Sequence, residues 1–340
     1  MRAAVYYGPN DVRIESVADP DAPRDGEVVI EVARAAICGT DASEWAHGPL
    51  MACPPVVLGH EFVGRVVAIG ADVDTIAAGD RVVCGAGISC GHCEWCRSGR
   101  TNLCADYRTI GLSCDGGLAE YVTSPASICR NVPEALSDEA AAMAQPCAVA
   151  LHAVRRSGLR GGQSCAVIGV GGIGAFILAA AAASGASPLI ALDIDADRLA
   201  TATRLGAHVS IDVRGKALDK AILAATGWEG ADVVIESSGA PHAPAGALAG
   251  ARTGGHVLLV GLQAAPREID LFAITAREVN LITTVAHVCD VDLPDALSLL
   301  ASTSVAQTVL DRVVGLDELV DSGLRPLASG QARGKIVVAL

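Results

Sequence analysis

Hydrophobic positions along this chain fall into two successive patterns. Up to about residue 130, short apolar segments alternate with glycine, proline and aspartate turns; the segments are RAAVYY, VRIESV, EVVIEVARAAI, EFVGRVVAIG, DRVVC and LAEYVTS. Strands of this length between turns predict an all-β module. From about Ser164, the apolar runs CAVIGV, PLIALD, HVSI, DVVIES and HVLLVG are separated by helical stretches such as ADRLATATRLGA. This strand–helix alternation predicts a doubly wound parallel sheet.

The rest of the pattern concerns the end of the chain and one uncharged run. After about Val288 the chain offers one more helix, LPDALSLLAS, and the short strand KIVVAL, which is compatible with a return to the first module. Residues 165–192 carry no charged side chain, and their length alone would fit a membrane span. Five glycines and a proline interrupt that run, which therefore indicates a strand, a glycine turn and a buried helix. We expect no membrane partner.

Composition and charge narrow the class of protein. A chain of 340 residues with 51% hydrophobic and 19% charged residues is long and apolar enough for two folded domains. A net charge of −13 disfavours nucleic acid and anionic membranes as partners, because both select basic surfaces. The N-terminal residues contain no apolar signal core, and twelve cysteines in such a chain indicate reduced thiols. We expect a cytoplasmic protein.

Four cysteines lie close together in the first module. Cys90, Cys93, Cys96 and Cys104 have the spacing C-x2-C-x2-C-x7-C, which lets one short loop offer four thiolates to a single ion. Zinc takes four such sulfurs in a tetrahedral arrangement, and a closed set of four is typical of a structural site. We therefore expect a structural zinc ion. A zinc ribbon that binds nucleic acid would use a similar loop, but the acidic net charge argues against it.

A glycine-rich turn follows the first strand of the second pattern. Gly169, Gly171 and Gly174 fit G-x-G-x-x-G between the strand CAVI and the apolar helix AFILAAAAA. Such a turn lets backbone approach a pyrophosphate, whose charge the helix N-terminus then stabilises. The next strand ends in Asp193, nineteen residues beyond Gly174, where a carboxylate accepts the ribose hydroxyls and repels a 2′-phosphate. NAD is therefore expected over NADP, while Arg198 is compatible either with stacking on adenine or with partly compensating a phosphate.

A second set of potential metal ligands is spread over the first module. Cys38 follows an apolar strand in AAICGTD, and His60 and Glu61 open another in GHEF. The cysteine or the histidine alone would be interpreted as a core residue. Together, a thiolate, an imidazole and a carboxylate form a chemically sensible open zinc site with room for water or substrate. Asp41 is then a partner that orients His60 through its free ring N–H.

These motifs together resemble the zinc-dependent medium-chain dehydrogenase/reductase (alcohol dehydrogenase) family, and above all its butanediol/sorbitol/threonine dehydrogenase-like branch. They are ICGTD at 37–41, GHEFVGRVVAIG at 59–70, the four-cysteine loop, GGLAEYV at 116–122, AVALHAV at 148–154 and GVGGIG at 169–174. The resemblance covers essentially the full length and implies an α/β protein. Its expected domains are a GroES-like β-rich catalytic domain with both zinc sites at 1–148, a Rossmann NAD-binding domain at 149–287, and a return to the catalytic domain at 288–340.

The resemblance also implies roles for individual residues. Cys38 and His60 match the ligands of the catalytic zinc, and Glu61 matches the adjacent glutamate that binds or exchanges at that metal. Thr40 matches the hydroxyl residue that touches the substrate oxygen and starts a proton relay. The other matches are cofactor contacts: Gly172 and Ile173 at the pyrophosphate and nicotinamide, Asp193 at the adenosine ribose, and Val260, Gly261 and Leu262 beside the nicotinamide.

The chain departs from the family pattern at two positions. Gln145 stands where the branch usually has a glutamate that binds the metal or its water, and a neutral amide there should strengthen the Lewis acid but weaken metal retention. Cys147 would compensate only if its two-residue offset still pointed it at the metal. Ser43 stands where the family usually has the histidine that ends the proton relay, and serine cannot hold a proton near neutral pH. His47 substitutes only if its loop folds inward.

The resemblance implies a zinc-dependent NAD(H) oxidoreductase that interconverts a secondary alcohol and its ketone by hydride transfer. Two zinc ions per subunit are expected, one catalytic and one structural, together with NAD. A diol, polyol or hydroxylated ring is the expected substrate, and Trp45 is either a pocket residue or a buried structural one. The family usually forms homodimers or homotetramers, so the same is expected of this chain.

Two further readings stay open at this point. One is a zinc-independent enone reductase that uses NADPH, against which Cys38, His60 and Asp193 argue. The other is a non-catalytic NAD-binding relative, in which Gln145 and Ser43 mark a decayed zinc site.

Overall fold

The structure, a computed structural model, describes residues 1–340 and separates into two units. The first unit combines Met1–Ala148 with His287–Leu340, and the second is Val149–Ala286. Each unit has a hydrophobic core of its own, built on its own sheets.

The first unit is rich in β-structure. A seven-stranded sheet runs in the order β10-β6-β5-β3-β18-β17, with β9 also paired to β3, and a three-stranded sheet runs in the order β2-β1-β4. The strands are β1 Arg2–Gly8, β2 Asp11–Ser16, β3 Glu27–Ala36, β4 Val56–Val57, β5 Glu61–Ile69, β6 Arg81–Cys84, β7 Gly87–Ile88, β8 Arg108–Thr109, β9 Tyr121–Pro125, β10 Cys129–Asn131, β17 Leu310–Gly315 and β18 Lys335–Ala339.

Strand β3 organises the large sheet because its alternating apolar residues are buried and it pairs with three neighbours. It runs antiparallel to β5, with Ala36 opposite Glu61, and antiparallel to β18, with Ala36 opposite Val337. The ends of β18, β3 and β5 therefore lie side by side. The helices of this unit are α1 Gly39–His47, α2 Glu94–Arg97, α3 Asp138–Ala142, α10 Cys289–Ser302, α11 Val305–Val309 and α12 Arg325–Ala328, and α4 Ala144–Ser157 crosses its boundary with the second unit.

Helix α10 begins four residues before the predicted segment LPDALSLLAS. The side chain of Asp292 accepts a hydrogen bond from the Val288 N–H at 2.7 Å, which satisfies a donor just before the first turn. The sequence pattern missed this start because Cys289–Asp292 has no apolar periodicity.

The second unit is a six-stranded parallel sheet in the order β13-β12-β11-β14-β15-β16. This is the doubly wound order, with the change of direction between β11 and β14. The β-rich module and the doubly wound sheet predicted from the sequence are both confirmed. The elements are β11 Cys165–Ile168, α5 Gly172–Ala183, β12 Leu189–Asp193, α6 Ala196–Arg204, β13 Val209–Asp212, α7 Leu218–Ala225, β14 Ala231–Glu236, α8 Ala243–Gly250, β15 Ala251–Leu259, α9 Leu271–Ala276 and β16 Asn280–Thr283.

The uncharged run at 165–192 is divided among β11, α5 and β12, as the glycine positions predict. No helix in the structure has both the length and the apolar character needed to cross a membrane. Burial explains the lack of charge instead, because β11, β12 and most of α5 lie inside the second unit.

Candidate active site

The four cysteines of the 90–104 loop come together around one point. Their Sγ atoms all lie within 4.8 Å of one another, with Cys93 and Cys96 3.5 Å apart and Cys90 and Cys96 4.0 Å apart. Zinc bound tetrahedrally by sulfur at about 2.3 Å requires separations of about 3.8 Å between the sulfurs. Backbone N–H groups of Cys96 and Ala105 lower the pKa of Cys93 to about 6, which favours a thiolate. The loop therefore fits a structural zinc ion.

Cys38, His60 and Glu61 also come together. Each offers one donor atom, and the three atoms lie within 4.8 Å of one another. Cys38 lies two residues after the end of β3, His60 immediately precedes β5, and Glu61 begins it. The pairing of these two strands brings the three residues together. His60 and Glu61 are buried, and Glu61 Oε1 has no hydrogen-bond partner. A buried carboxylate oxygen without a donor is costly, and a metal ion at this point would remove that cost.

Gly59 holds the turn that delivers His60 and Glu61. Its φ of +98° lies in the region that glycine adopts without strain, and a Cβ there would come within 2.7 Å of the Leu118 backbone nitrogen. A side chain at this position would therefore displace the start of β5 and both donor residues.

Asp41 shapes the surroundings of Cys38 and His60. Its Oδ2 accepts a hydrogen bond from the Cys38 N–H at 2.9 Å, while its Oδ1 lies 3.6 Å from His60 Nδ1, too far for a hydrogen bond. Burial lowers the pKa of His60, but the negative charges of Asp41, Cys38 and Glu61 outweigh burial and raise that pKa to about 10. The pocket thus favours a positive charge, which a zinc ion supplies.

The expected proton relay lies on helix α1. Thr40 is half-buried, whereas Ser43 and His47 are exposed, and their spacing places all three on one side of the helix. Trp45 is buried in the hydrophobic core of the first unit, and the Arg325 guanidinium lies 5.3 Å from the centre of its ring. The structure therefore favours Trp45 as a buried structural residue over Trp45 as a pocket residue.

Gln145 and Cys147 lie at the start of helix α4, and both are buried. Burial raises the pKa of the Cys147 thiol to about 12, so Cys147 behaves as a small apolar residue. The potential metal ligands close to Cys38 are His60 and Glu61, and Cys147 is not among them. The effect of Gln145 on metal retention stays a prediction.

The three glycines of the G-x-G-x-x-G turn, Gly169, Gly171 and Gly174, have distinct surroundings. Gly169 has a φ of +87°, and a Cβ there would lie 2.7 Å from the Cβ of Ser238. At Gly174 a Cβ would lie 1.9 Å from the Gly169 carbonyl oxygen, so strand β11 and helix α5 pack through this contact. At Gly171 a Cβ would meet nothing within 4 Å, which leaves space in front of Gly172 and Ile173, the first residues of α5. The turn therefore fits a dinucleotide pyrophosphate.

Asp193, at the end of β12, is buried beside this turn. Its Oδ2 accepts a hydrogen bond from the Val170 N–H at 2.6 Å, and its Oδ1 accepts from the Ile194 and Asp195 N–H groups at 2.7 and 2.9 Å. A carboxylate offers about four acceptor sites, so capacity remains for a ribose hydroxyl. The Arg198 guanidinium lies 4.0 Å from Asp193 Oδ1, which the sequence reading did not anticipate.

Val260, Gly261 and Leu262 follow β15 directly, and the sequence reading missed their partner. The N–H groups of Val260 and Gly261 donate to the backbone oxygen of Glu236 at 2.8 and 3.1 Å. The buried Glu236 carboxylate accepts from the Ser238 and Gly239 N–H groups and fixes the loop after β14. Strand β15 therefore ends at Leu259, two residues before the predicted segment HVLLVG ends.

Lys335 is the other residue that the sequence reading missed. Its ammonium group donates to the backbone oxygen of Ile37 at 2.8 Å and forms a short contact with Glu61 Oε2. Lys335 and Glu61 are both buried. Since the two residues are 274 positions apart, no local sequence signal could have paired them.

Family models match both units of the chain. The alcohol dehydrogenase GroES-like domain matches residues 24–134, and the zinc-binding dehydrogenase domain matches residues 172–302. The first range contains Cys38, His60, Glu61 and the four-cysteine loop, and the second contains most of the parallel sheet. These matches argue against both alternatives, a zinc-independent reductase and a nucleic-acid-binding protein.

Individual proteins agree with the family models. The chain is 35% identical to a sorbitol dehydrogenase from Bacillus subtilis over 289 residues, which cover 81% of this chain and 82% of that one. The crystal structure of 2R,3R-butanediol dehydrogenase from Bacillus subtilis superposes with a TM-score of 0.90 at 29% identity, covering 100% and 99% of the two chains. A zinc-binding dehydrogenase from Sinorhizobium meliloti, bound to NADP, gives a TM-score of 0.91 at 32% identity with the same coverage. The chain belongs to the zinc-type medium-chain alcohol dehydrogenase family, whose members are oxidoreductases acting on CH–OH groups.

Proposed function

We propose that this chain interconverts a secondary alcohol and its ketone by transferring hydride to and from NAD, with zinc held by Cys38, His60 and Glu61. The observation that carries the proposal is the group of three donor residues, the half-buried Cys38 and the buried His60 and Glu61, in which Glu61 Oε1 has no partner in the protein. When bound there, zinc polarises the alcohol oxygen and lowers the pKa of its hydroxyl group.

The protein groups around this site hold the ligands and carry the proton. Asp41 orients Cys38 through its backbone N–H and places negative charge beside His60. Thr40 accepts the proton of the substrate hydroxyl as it donates its own hydroxyl proton to Ser43, one helical turn further, and Ser43 in the same way donates its proton to water. Because Ser43 is exposed and serine cannot store a proton near neutral pH, solvent replaces the usual histidine as the end of the relay.

The cofactor is NAD in this proposal. Asp193 accepts a ribose hydroxyl, and its negative charge opposes a 2′-phosphate. Gly172, at the N-terminus of α5, would hold the pyrophosphate, and Ile173 and the segment Val260–Leu262 would contact the nicotinamide. The Sinorhizobium meliloti relative binds NADP, so the preference rests on Asp193 in this chain. Arg198 compensates part of that carboxylate charge, because it lies 4.0 Å away.

The proposed substrate is a diol, polyol or hydroxylated ring. Two of the three relatives named above, a sorbitol dehydrogenase and a butanediol dehydrogenase, carry names of polyhydric alcohols. A second hydroxyl group on the substrate finds hydrogen-bonding partners in Glu61 and Gln145.

We also infer a homo-oligomer in the cytoplasm. Strand β16 is an edge of the parallel sheet, and it leaves Asn280, Leu281 and Thr283 exposed. An open edge that exposes an apolar side chain, here that of Leu281, invites pairing with a second copy. None of the twelve cysteines forms a disulfide, which fits a reducing compartment.

The test is a substrate panel with direct detection of hydride transfer. Secondary diols, polyols and cyclic alcohols, deuterated at the carbinol carbon, are incubated with NAD or NADP, and deuterium in the reduced cofactor is measured. We expect deuterated NADH from at least one polyhydric or cyclic alcohol. Turnover of simple primary alcohols alone would refute the substrate class, and a preference for NADP would refute the cofactor assignment.

A pair of variants at Thr40 tests the relay. Thr40→Val keeps the shape of the side chain but removes the hydroxyl, and it should lower kcat by about 10²–10⁴-fold, as loss of a general acid or base does. Thr40→Ser keeps the hydroxyl and should retain most activity. Equal activity in the two variants would remove Thr40 from the mechanism.

A further inference from the structure

In the buried ion pair of Lys335 and Glu61, the two oxygens of the Glu61 carboxylate have different surroundings. Lys335 contacts Oε2, while Oε1 has no hydrogen-bond partner. The donor atoms of Cys38 and His60 lie within 4.8 Å of the Glu61 donor atom. One oxygen is therefore held by the protein, and the other is left for the metal.

Lys335 is itself held in place. Its ammonium group also donates to the Ile37 carbonyl oxygen, immediately before Cys38. The Ile37 N–H in turn donates to the Ile336 oxygen at 2.9 Å, so this part of β18 is locked to the segment that carries Cys38. The Glu61 carboxylate consequently cannot rotate away from Lys335 without breaking a buried ion pair, which is strongly unfavourable.

We propose that Lys335 is a positioning residue that keeps the second oxygen of Glu61 away from the catalytic zinc and limits the negative charge of the site. This inference rests on the proposed function, because it assumes zinc on Cys38, His60 and Glu61. The Cys38 thiolate and the Glu61 carboxylate supply two negative charges, and Lys335 offsets one of them. The ion thus stays more electrophilic and more exchangeable, and a position remains available for the substrate.

A purely structural ion pair makes the opposite prediction when Lys335 is removed. If Lys335 serves only the fold, its loss loosens the site and zinc leaves faster. If Lys335 restrains Glu61, its loss frees Oε2 and removes a positive charge beside the ion, so zinc leaves more slowly. The sign of the change in zinc release therefore separates the two roles.

The experiment measures the rate of zinc transfer from the full-length enzyme to a chromogenic chelator. Wild type is compared with Lys335→Met, which removes the charge, and with Lys335→Arg, which keeps it. The same pair of measurements is made in Glu61→Gln and in Glu61→Gln/Lys335→Met. The slow phase from the four-cysteine loop is identified in Cys38→Ser, which retains only that loop as a zinc site.

We expect zinc release from the catalytic site to slow by about tenfold or more in Lys335→Met. Loss of one positive charge a few ångströms from the ion strengthens zinc binding by at least about tenfold at an effective dielectric constant of about 20. Lys335→Arg should stay within about threefold of wild type. In the Glu61→Gln background, Lys335→Met should slow release clearly less than it does in the wild-type background, because the Lys335 charge is still lost but no carboxylate oxygen is freed. The visible spectrum of the cobalt-substituted catalytic site should change in Lys335→Met and remain as in wild type in Lys335→Arg.

Faster or unchanged release in folded Lys335→Met would overturn the proposal, as would equal slowing in both Glu61 backgrounds. If Lys335→Met does not fold, Lys335→Gln removes the charge while keeping a donor to Ile37, and the same outcomes apply. A wild type that holds no more zinc than Cys38→Ser would instead refute the proposed function itself.

Discussion

Replacing Gly174 by alanine should damage the second unit even though alanine is the better helix former. The added Cβ would lie 1.9 Å from the Gly169 carbonyl oxygen and 2.7 Å from Ser237 Oγ, whereas Cβ atoms essentially never approach other atoms closer than 3.0 Å. The carbonyl group must therefore move by about 1 Å. This carbonyl group belongs to Gly169, which already packs against Ser238, so moving it would strain the turn.

The magnitude follows from this overlap. Overpacking of this kind costs about 1–3 kcal/mol, and the helix propensity of alanine returns at most about 1 kcal/mol. Because the overlapped atom is a backbone oxygen, the cost lies at the upper end of that range, and a net loss of about 2 kcal/mol lowers the melting temperature of a domain of this size on the order of 5 °C. Because the shifted carbonyl lies in the glycine turn, NAD binding should weaken as well.

Gly171→Ala is the matched control. Its φ of −74° suits alanine, and its Cβ would meet no atom within 4 Å, so the melting temperature should not change. The methyl group would stand where the pyrophosphate approaches, and NAD affinity should fall at least about tenfold, or about 1.4 kcal/mol. Thermal unfolding without cofactor and NADH fluorescence titration measure the two effects. Wild-type stability and NAD affinity in Gly174→Ala would show that no steric conflict exists at position 174, and equal destabilisation by both substitutions would contradict the predicted difference between the two glycines.

Three further predictions concern other sites. Cys96→Ser should lower the zinc content by one ion per chain, whereas Cys53→Ser, outside both metal clusters, should not; unchanged zinc in Cys96→Ser would contradict the structural site. Asp193→Asn should shift the ratio of NADP to NAD affinity at least about tenfold towards NADP, because the amide no longer repels a 2′-phosphate, and an unchanged ratio in fluorescence titrations would speak against that role. Burial raises the pKa of Asp232, but hydrogen bonds from Ser164 and Arg252 outweigh burial and hold that pKa below its ordinary value. Its stabilising effect is therefore present above the unfolded-state pKa of about 3.9 and is lost as the pH falls through the lower folded-state pKa. The difference in melting temperature between wild type and Asp232→Asn should be constant above about pH 5 and should shrink below about pH 4. A difference independent of pH would exclude this linkage.

Much of the fold could be predicted because its signals are local. The glycine turn at 169–174, the apolar strands and the four-cysteine loop each lie within a few residues of one another in the sequence. The helix that carries Thr40 and Ser43, Gly39–His47, was not predicted from the sequence and is seen only in the structure.

The features that escaped prediction depend on distant partners or on weak patterns. Lys335 is simply the first residue of the strand KIVVAL until β18 is placed beside β3, where its ammonium group reaches Glu61. Strand β16 carries mostly exposed residues, so it shows no apolar run. Glu236 serves the loop beside Val260 through backbone groups, which leave no pattern in side-chain types.

The most direct test of the account is zinc content measured together with NAD reduction in wild type and Cys38→Ser. Two zinc ions per chain are expected in wild type and one in Cys38→Ser, with activity on a secondary alcohol lost and the folded structure retained. Two zinc ions and full activity in Cys38→Ser would contradict it.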